Sequence, residues 1–163
     1  MPKTMLANAQ KPKSNGHALP LKLDIGCGPV PKPGFEGVDQ YSFDGKVKHV
    51  LDIRKTPWPW KDSSVSEIHS AHFIEHLTAV ERCAFMNECY RVLVPGGKMT
   101  TITPHWASNR AYGDPTHHWP PISEMFFFYL LKEWRMKQAP HTDSSVWEKG
   151  YSCDFDVTYG YGM

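Results

Sequence analysis

Apolar and polar residues alternate with a period of two at several places along the chain, the pattern of a strand with one buried face. In LPLKLDIGCG at 19–28, Leu21, Leu23 and Ile25 alternate with polar residues and run into two glycines. That predicts a strand delivering a glycine-rich loop. FEGVD at 35–39, VKHVLDI at 47–53 and SVSEIHS at 64–70 predict three more short strands. The 47–53 strand is closed by the Pro-broken turn Thr56-Pro57-Trp58-Pro59-Trp60. From Thr78 the period changes to that of a helix. Thr78-Ala-Val-Glu81 has capping-box spacing, and Val80, Cys83, Ala84, Asn87, Tyr90 and Arg91 fall on one stripe that Phe85, Met86, Cys89 and Leu93 widen. Pro95-Gly96-Gly97 should stop this helix, and the β-branched run KMTTITP after it reads as a buried strand. Strand, helix, turn and strand in this order imply a parallel crossover. A long polar and aromatic loop at 104–123 precedes a second expected helix, from Ser123 through about Lys137. Asp154 to Tyr159 alternates strictly and predicts a closing edge strand, with antiparallel pairing open to it.

These elements make an α/β chain, and composition narrows its class. With 163 residues, 40% of them hydrophobic, one domain with a sizeable core is expected, over residues 19–163. Residues 1–18 are rich in Lys, Asn, Pro and Ser and read as a flexible basic tail. The longest apolar run, Met125 to Leu131, has seven residues, against about 20 for a membrane span. No membrane association is expected, and the start lacks the apolar stretch of a signal peptide. Four cysteines without a C-x-x-C pair suit reduced thiols and a cytoplasmic location, and exclude a zinc ribbon. A net charge of +1 gives no indication of a nucleic-acid partner.

Ligands of open α/β sheets bind outside the carboxyl ends of the strands, where this chain carries Asp24-Ile-Gly26-Cys27-Gly28, Asp39, Asp52 and His72. Asp39, after the second predicted strand, is placed to accept two ribose hydroxyls, worth about 1.5–3 kcal/mol each. A dinucleotide fingerprint is absent, because Gly28 is followed by Pro-Val-Pro-Lys-Pro, which cannot open a regular helix. That disfavours NAD.

L-D-I-G-C-G, G-V-D, L-D-I-x(4)-P-W-P-W-x-D-S-S-V, S-x-H-x-x-E-H-L and N-E-x-Y-R-V-L-x-P-G-G-K occur here in series. This series resembles the class I S-adenosylmethionine-dependent methyltransferases, in their type 11-like short form, over residues 20–104. The resemblance implies a minimal Rossmann-like sheet and transfer of a methyl group from S-adenosylmethionine to an acceptor that it does not identify: a small molecule, which is the partner expected, a sugar, a nucleotide and a protein are all open. It implies that Asp24, Gly26 and Gly28, with Cys27 between them, line the methionine part of the cofactor. Asp39 then holds the ribose, Asp52 with Ile53 meets the adenine, and His69, Ser70 and His72 border the transferred methyl. One departure is the spacing: only Pro29 to Gly34 separate Gly28 from Phe35, too few for the crossover helix of about 10–12 residues that the family places there. The first crossover helix should be missing or reduced to a turn.

His72, His105 and His117 are the candidates for removing the acceptor's proton, since imidazole titrates near neutral pH. His72-Phe-Ile-Glu75-His76 also matches the zinc-hydrolase pattern H-x-x-E-H, with Glu124 or Glu133 as third ligand. That pattern needs a continuous helix through both histidines, whereas the capping box at Thr78 starts a helix after them. No metal is therefore expected. Cys27 has no neighbouring base and is assigned no nucleophilic chemistry. The Trp58 and Trp60 turn reads as a core plug rather than a stacking surface. The alternative to a working methyltransferase is a relative that binds the cofactor without methylating, as a partner subunit.

Overall fold

The computed structural model describes residues 4–10, 21–146 and 148–162. Seven strands form one sheet: β1 (Thr4–Gln10), β2 (Lys22–Ile25), β3 (Glu36–Asp39), β4 (His49–Val50), β5 (Val65–Ala71), β6 (Leu93–Pro104) and β7 (Asp156–Gly162). Their spatial order is β4-β3-β2-β5-β6-β1-β7. The first five in that order pair in parallel, and β1 runs antiparallel to both β6 and β7. From β2 the chain proceeds outward to β3 and β4, and then returns to β5 on the other side. The switch point thus falls between β2 and β5, where the carboxyl ends of neighbouring strands open a crevice.

The crossover from β5 to β6 is α1 (Ala79–Val92). Its start is set locally: Thr78 Oγ1 accepts from the Glu81 amide, and the Glu81 carboxylate accepts from the Thr78 amide at 2.8 Å. Such a cap contributes about 1 kcal/mol. The buried face of Phe85, Met86, Cys89 and Val92 joins Leu23, Ile25, Ile68 and Met99 of the sheet in one core. The helix ends before Pro95, since Leu93 is already extended and pairs with Val65.

Trp58 is buried and packs its ring against Phe85, while its indole N–H donates to the Ile53 carbonyl at 2.8 Å. The aromatic turn is therefore a core plug. Arg91 ties it to α1, donating to the carbonyls of Trp58 and Trp60 and to the Glu88 carboxylate.

Several expectations are corrected. Residues 4–10, expected within a flexible tail, form β1, whose register with β6 runs from Thr4 opposite Pro104 to Gln10 opposite Lys98. Of its described side chains, Met5 is fully buried, and backbone ladders pair the strand on both sides. The remainder of the expected tail, 1–3 and 11–18, lies outside the described residues. The 47–53 strand shrinks to His49–Val50. The helix expected from Ser123 to Lys137 is two pieces, α3 (Glu124–Phe128) and α4 (Lys132–Gln138), after a short α2 (Arg110–Gly113). At the break, the Leu130 carbonyl accepts from the Phe155 amide, and the buried Arg135 donates to the carbonyls of Tyr129 and Cys153. The chain approaching β7 thus takes the hydrogen bonds a continuous helix would have used. Between Ile25 and Glu36 there are only turns, the reduced first crossover that the short spacing demands. Among the described residues, no helix is long and apolar enough to cross a membrane.

Candidate functional site

A cavity of about 320 Å³ opens at the carboxyl ends of β2 and β3. Gly26, Asp39, Asp52, Ile53 and His72, all expected at a cofactor site, line it together. Gly26 leaves β2 with φ +69, and its amide donates to the Val38 carbonyl at 2.9 Å. A Cβ at this position would stand 2.4 Å from Cδ2 of Phe73, so the ring of Phe73 lies directly on the glycine and forms part of the cavity wall. Asp39 ends β3 at the rim. Its Oδ2 accepts from the Gly28 amide at 3.0 Å and its Oδ1 from the Tyr41 amide at 3.1 Å. These bonds fix the carboxylate while leaving lone pairs for hydroxyl donors.

Asp52 is gripped by Arg54 through Nε to Oδ1 at 2.8 Å and a second nitrogen to Oδ2 at 3.1 Å. Those hydrogen bonds hold its carboxyl below the usual range. Ile53, braced by Trp58, supplies an apolar wall beside Leu51. Sequence reasoning missed Tyr41, Phe43, Arg54 and Phe73 in this lining. The only signal for them was adjacency to a strand-end aspartate or histidine.

Other expected residues serve the loop instead of the cavity lining. Asp24 is buried, with Oδ2 accepting from the Lys32 amide at 2.7 Å and Oδ1 facing His69 Nδ1 at 2.6 Å. It fastens the shortened loop to the sheet and ties up His69. Lys32 places its ammonium 4.9 Å from the centre of the Phe35 ring. Cys27 and Gly28 lie in the same loop. Burial, then the nearby Asp24 and Asp39 carboxylates, push the Cys27 thiol up to about 11. Ser70 is fully buried within β5.

His72 follows β5 with φ +54, an uncommon conformation for a side-chain-bearing residue, and its amide donates to the Ile102 carbonyl. It borders both the first cavity and a more open one of about 850 Å³, as does His76. The second cavity is walled by Glu75, Asn109, Arg110, Asp114 and His117. The three histidines expected to act together are divided. His72 and His117 face this space, but His105 is buried elsewhere, its Nδ1 accepting from the Ala107 amide and its Nε2 donating to Glu124 at 3.0 Å. The hydroxyl of Tyr161, then His105, hold the Glu124 carboxyl down to about 2. Glu124 is thereby committed to closing the 104–123 loop against β7.

Ile74–His76 form a single 3₁₀ turn and Thr78 caps the next helix, so His72 and His76 do not share an α-helical face as the zinc-hydrolase pattern requires. Arg82 fixes this turn. It is buried and donates to the carbonyls of Ile74, His118 and Pro120, at 3.0, 2.9 and 2.5 Å, joining the turn to the 104–123 loop.

No curated protein sequence matches this chain. Residues 38–101, which carry Asp39, Asp52, the H-x-x-E-H segment and α1, match the family described as "Methyltransferase domain". The mixed α/β sheet and the crevice at its switch point are consistent with the Rossmann-like methyltransferase fold to which this part of the chain is similar.

Proposed function

We propose that the chain is an S-adenosylmethionine-dependent methyltransferase, with the cofactor in the cavity lined by Gly26, Asp39 and His72 and the acceptor entering from the adjoining open cavity. The observation that carries this reading is the fixed Asp39 carboxylate beside a glycine whose missing Cβ leaves the wall flat. The residues fit a nucleoside: a rim carboxylate for two ribose hydroxyls, the Leu51 and Ile53 wall for a base, and a volume near the lower end of the roughly 300–1,000 Å³ usual for ligand pockets. When bound, S-adenosylmethionine supplies a methyl already activated by its sulfonium.

The protein's part is then alignment and exclusion of water, an effect of up to about 7–11 kcal/mol. Phe73 and Gly26 shape one side of the cavity, and Asp39 fixes the nucleoside end. His72, shared by both cavities, stands where acceptor and donor meet and orients the acceptor. The acceptor is read as a small molecule, because the second cavity, of about 850 Å³, is of the size usual for small-molecule sites.

Calorimetric titration with S-adenosylmethionine and S-adenosylhomocysteine tests the reading. Micromolar binding is expected, and Asp39→Ala should weaken it by about 100-fold or more, the loss of two charge-assisted hydrogen bonds. A folded wild-type protein that binds neither ligand contradicts the proposal and favours a relative that no longer methylates.

A further inference from the structure

Glu75, His76 and His117 each offer one ligand atom, and these atoms lie within 4.8 Å of one another. Hydrogen bonding around them leaves the right lone pairs free. Glu75 is 4% exposed, its Oε2 accepts from Thr103 at 3.2 Å, and its Oε1 is buried without a hydrogen-bond partner. An unsatisfied buried carboxylate oxygen is costly and calls for a partner. His72 Nδ1 stands 3.3 Å from Oε1 but without hydrogen-bond geometry.

His117 Nδ1 faces the Ala111 carbonyl at 3.3 Å. A carbonyl only accepts, so Nδ1 carries the proton and Nε2 presents its lone pair. The Asp114 carboxylate, 3.9 Å from that Nε2, is beyond hydrogen-bond reach. His76 Nδ1 faces Thr116 Oγ1 at 3.0 Å, and this hydroxyl is itself turned to Asp114 Oδ1 at 2.6 Å. Thr116 gives its proton to Asp114, so His76 donates from Nδ1 and keeps Nε2 free. A histidine whose second nitrogen is fixed by a carbonyl or a carboxylate-backed group is the arrangement that supports metal ligation.

We propose that Glu75 Oε1, His76 Nε2 and His117 Nε2 form a site for one divalent transition-metal cation of the Zn²⁺ type, in the wall of the second cavity, which all three line. Two imidazoles and a carboxylate are a ligand set for such ions that leaves a coordination position open. Tetrahedral ligands about 2.0–2.2 Å from a common ion stand about 3.3–3.6 Å apart, so atoms now within 4.8 Å of one another approach by up to about 1.5 Å to close on it. Arg82, which joins the 3₁₀ turn to the loop bearing His117, acts as a positioning residue by holding the two halves of the set together.

The open position faces the second cavity, which specifies the acceptor: a hydroxyl compound whose oxygen completes the coordination. This clause rests on the methyltransferase reading; the cation site does not. In the transfer, the acceptor's O–H bond breaks and its proton leaves to bulk water through the open side of the cavity. An oxygen–carbon bond to the methyl forms, and the carbon–sulfur bond breaks with its electron pair retained by the sulfur of S-adenosylhomocysteine. His117 is then a ligand and not a base.

The test uses untagged protein stripped with chelator, titrated with Co²⁺ by visible absorption and with Zn²⁺ by calorimetry. One equivalent should bind with d–d bands of low coordination number. His117→Ala should weaken binding by more than about 100-fold, and Thr116→Val, at an exposed residue behind His76, by about 10- to 100-fold. S-adenosylhomocysteine affinity and the melting temperature of the metal-free variants report that the fold and cofactor pocket persist. Cofactor binding without stoichiometric cation, or cation binding indifferent to both variants, overturns the site and leaves the methyltransferase reading standing. Cation binding without cofactor binding upholds the site and removes the acceptor assignment.

Discussion

Replacing Gly26 by alanine separates two costs that the structure keeps distinct. The backbone at Gly26 has φ +69, and at Gly28 φ +57, so alanine at either position carries about 1–2 kcal/mol of left-handed strain. The positions differ in space: a Cβ at Gly28 meets nothing within 4 Å, whereas at Gly26 it falls 2.4 Å from Phe73 Cδ2 and 2.7 Å from Cγ. Phe73 cannot simply swing aside, since its ring packs 5.5 Å from that of Phe85 in the core. Overpacking of this kind costs about 1–3 kcal/mol more. Gly26→Ala should therefore destabilise by about 2–5 kcal/mol and Gly28→Ala by about 1–2 kcal/mol. With a few degrees of melting temperature per kcal/mol at this size, the expected drops are about 4–20 °C and about 2–8 °C. Urea unfolding of both variants, and of Gly26→Ala combined with Phe73→Leu, provides the assay. The double variant should recover about 1–3 kcal/mol relative to additivity, because the smaller side chain relieves the clash. If Gly26→Ala is no more destabilising than Gly28→Ala, Phe73 does not rest on Gly26 and the described cavity wall is wrong.

Asn87 of α1 donates to the Gly150 carbonyl and accepts from the amides of Ser152 and Cys153, so Asn87→Ala should cost about 2–4 kcal/mol in urea unfolding and leave the cavity at β2 and β3 intact. Glu124, whose folded carboxyl is held down to about 2, contributes stability that is fully present above its unfolded value of about 4.3 and is lost as pH falls toward 2. Acid titrations of stability should show that component removed in Glu124→Gln; an unchanged profile between pH 5 and 2 would refute the link. The Cys27 thiol, pushed up to about 11, should react with a thiol-specific disulfide reagent at pH 7 far more slowly in the folded protein than in urea. Fast modification of Cys27 in the native state would contradict its placement.

What the sequence disclosed follows the distance over which each feature is determined. The α1 cap needs only Thr78 and Glu81, three positions apart, and was readable with its start correct to the residue. The reduced first crossover followed from counting residues between Gly28 and Phe35. β1 was not readable, because both of its partners, β6 and β7, lie far from it in sequence. The break between α3 and α4 depends likewise on Phe155 and Cys153, distant in sequence. At the site, Asp39, Asp52, Ile53 and His72 were marked by strand ends, where topology alone brings ligand groups together. Asp24 and His69 share that signal but pair with each other on the neighbouring strands β2 and β5, a pairing no local pattern displays. Equally hidden was the approach of His117 to Glu75 and His76, which depends on Arg82 drawing a long loop back onto the turn. Of the H-x-x-E-H pattern, Glu75 and His76 stand in one cluster with His117, and His72 does not.

A crystal structure of the chain with S-adenosylhomocysteine will show whether the crevice between Gly26, Asp39 and His72 holds the methyl donor. Ribose hydroxyls are expected on the Asp39 carboxylate, the base against Leu51 and Ile53, and the sulfur end directed toward His72. A nucleoside bound elsewhere, or one in this crevice with its ribose away from Asp39, would contradict that placement.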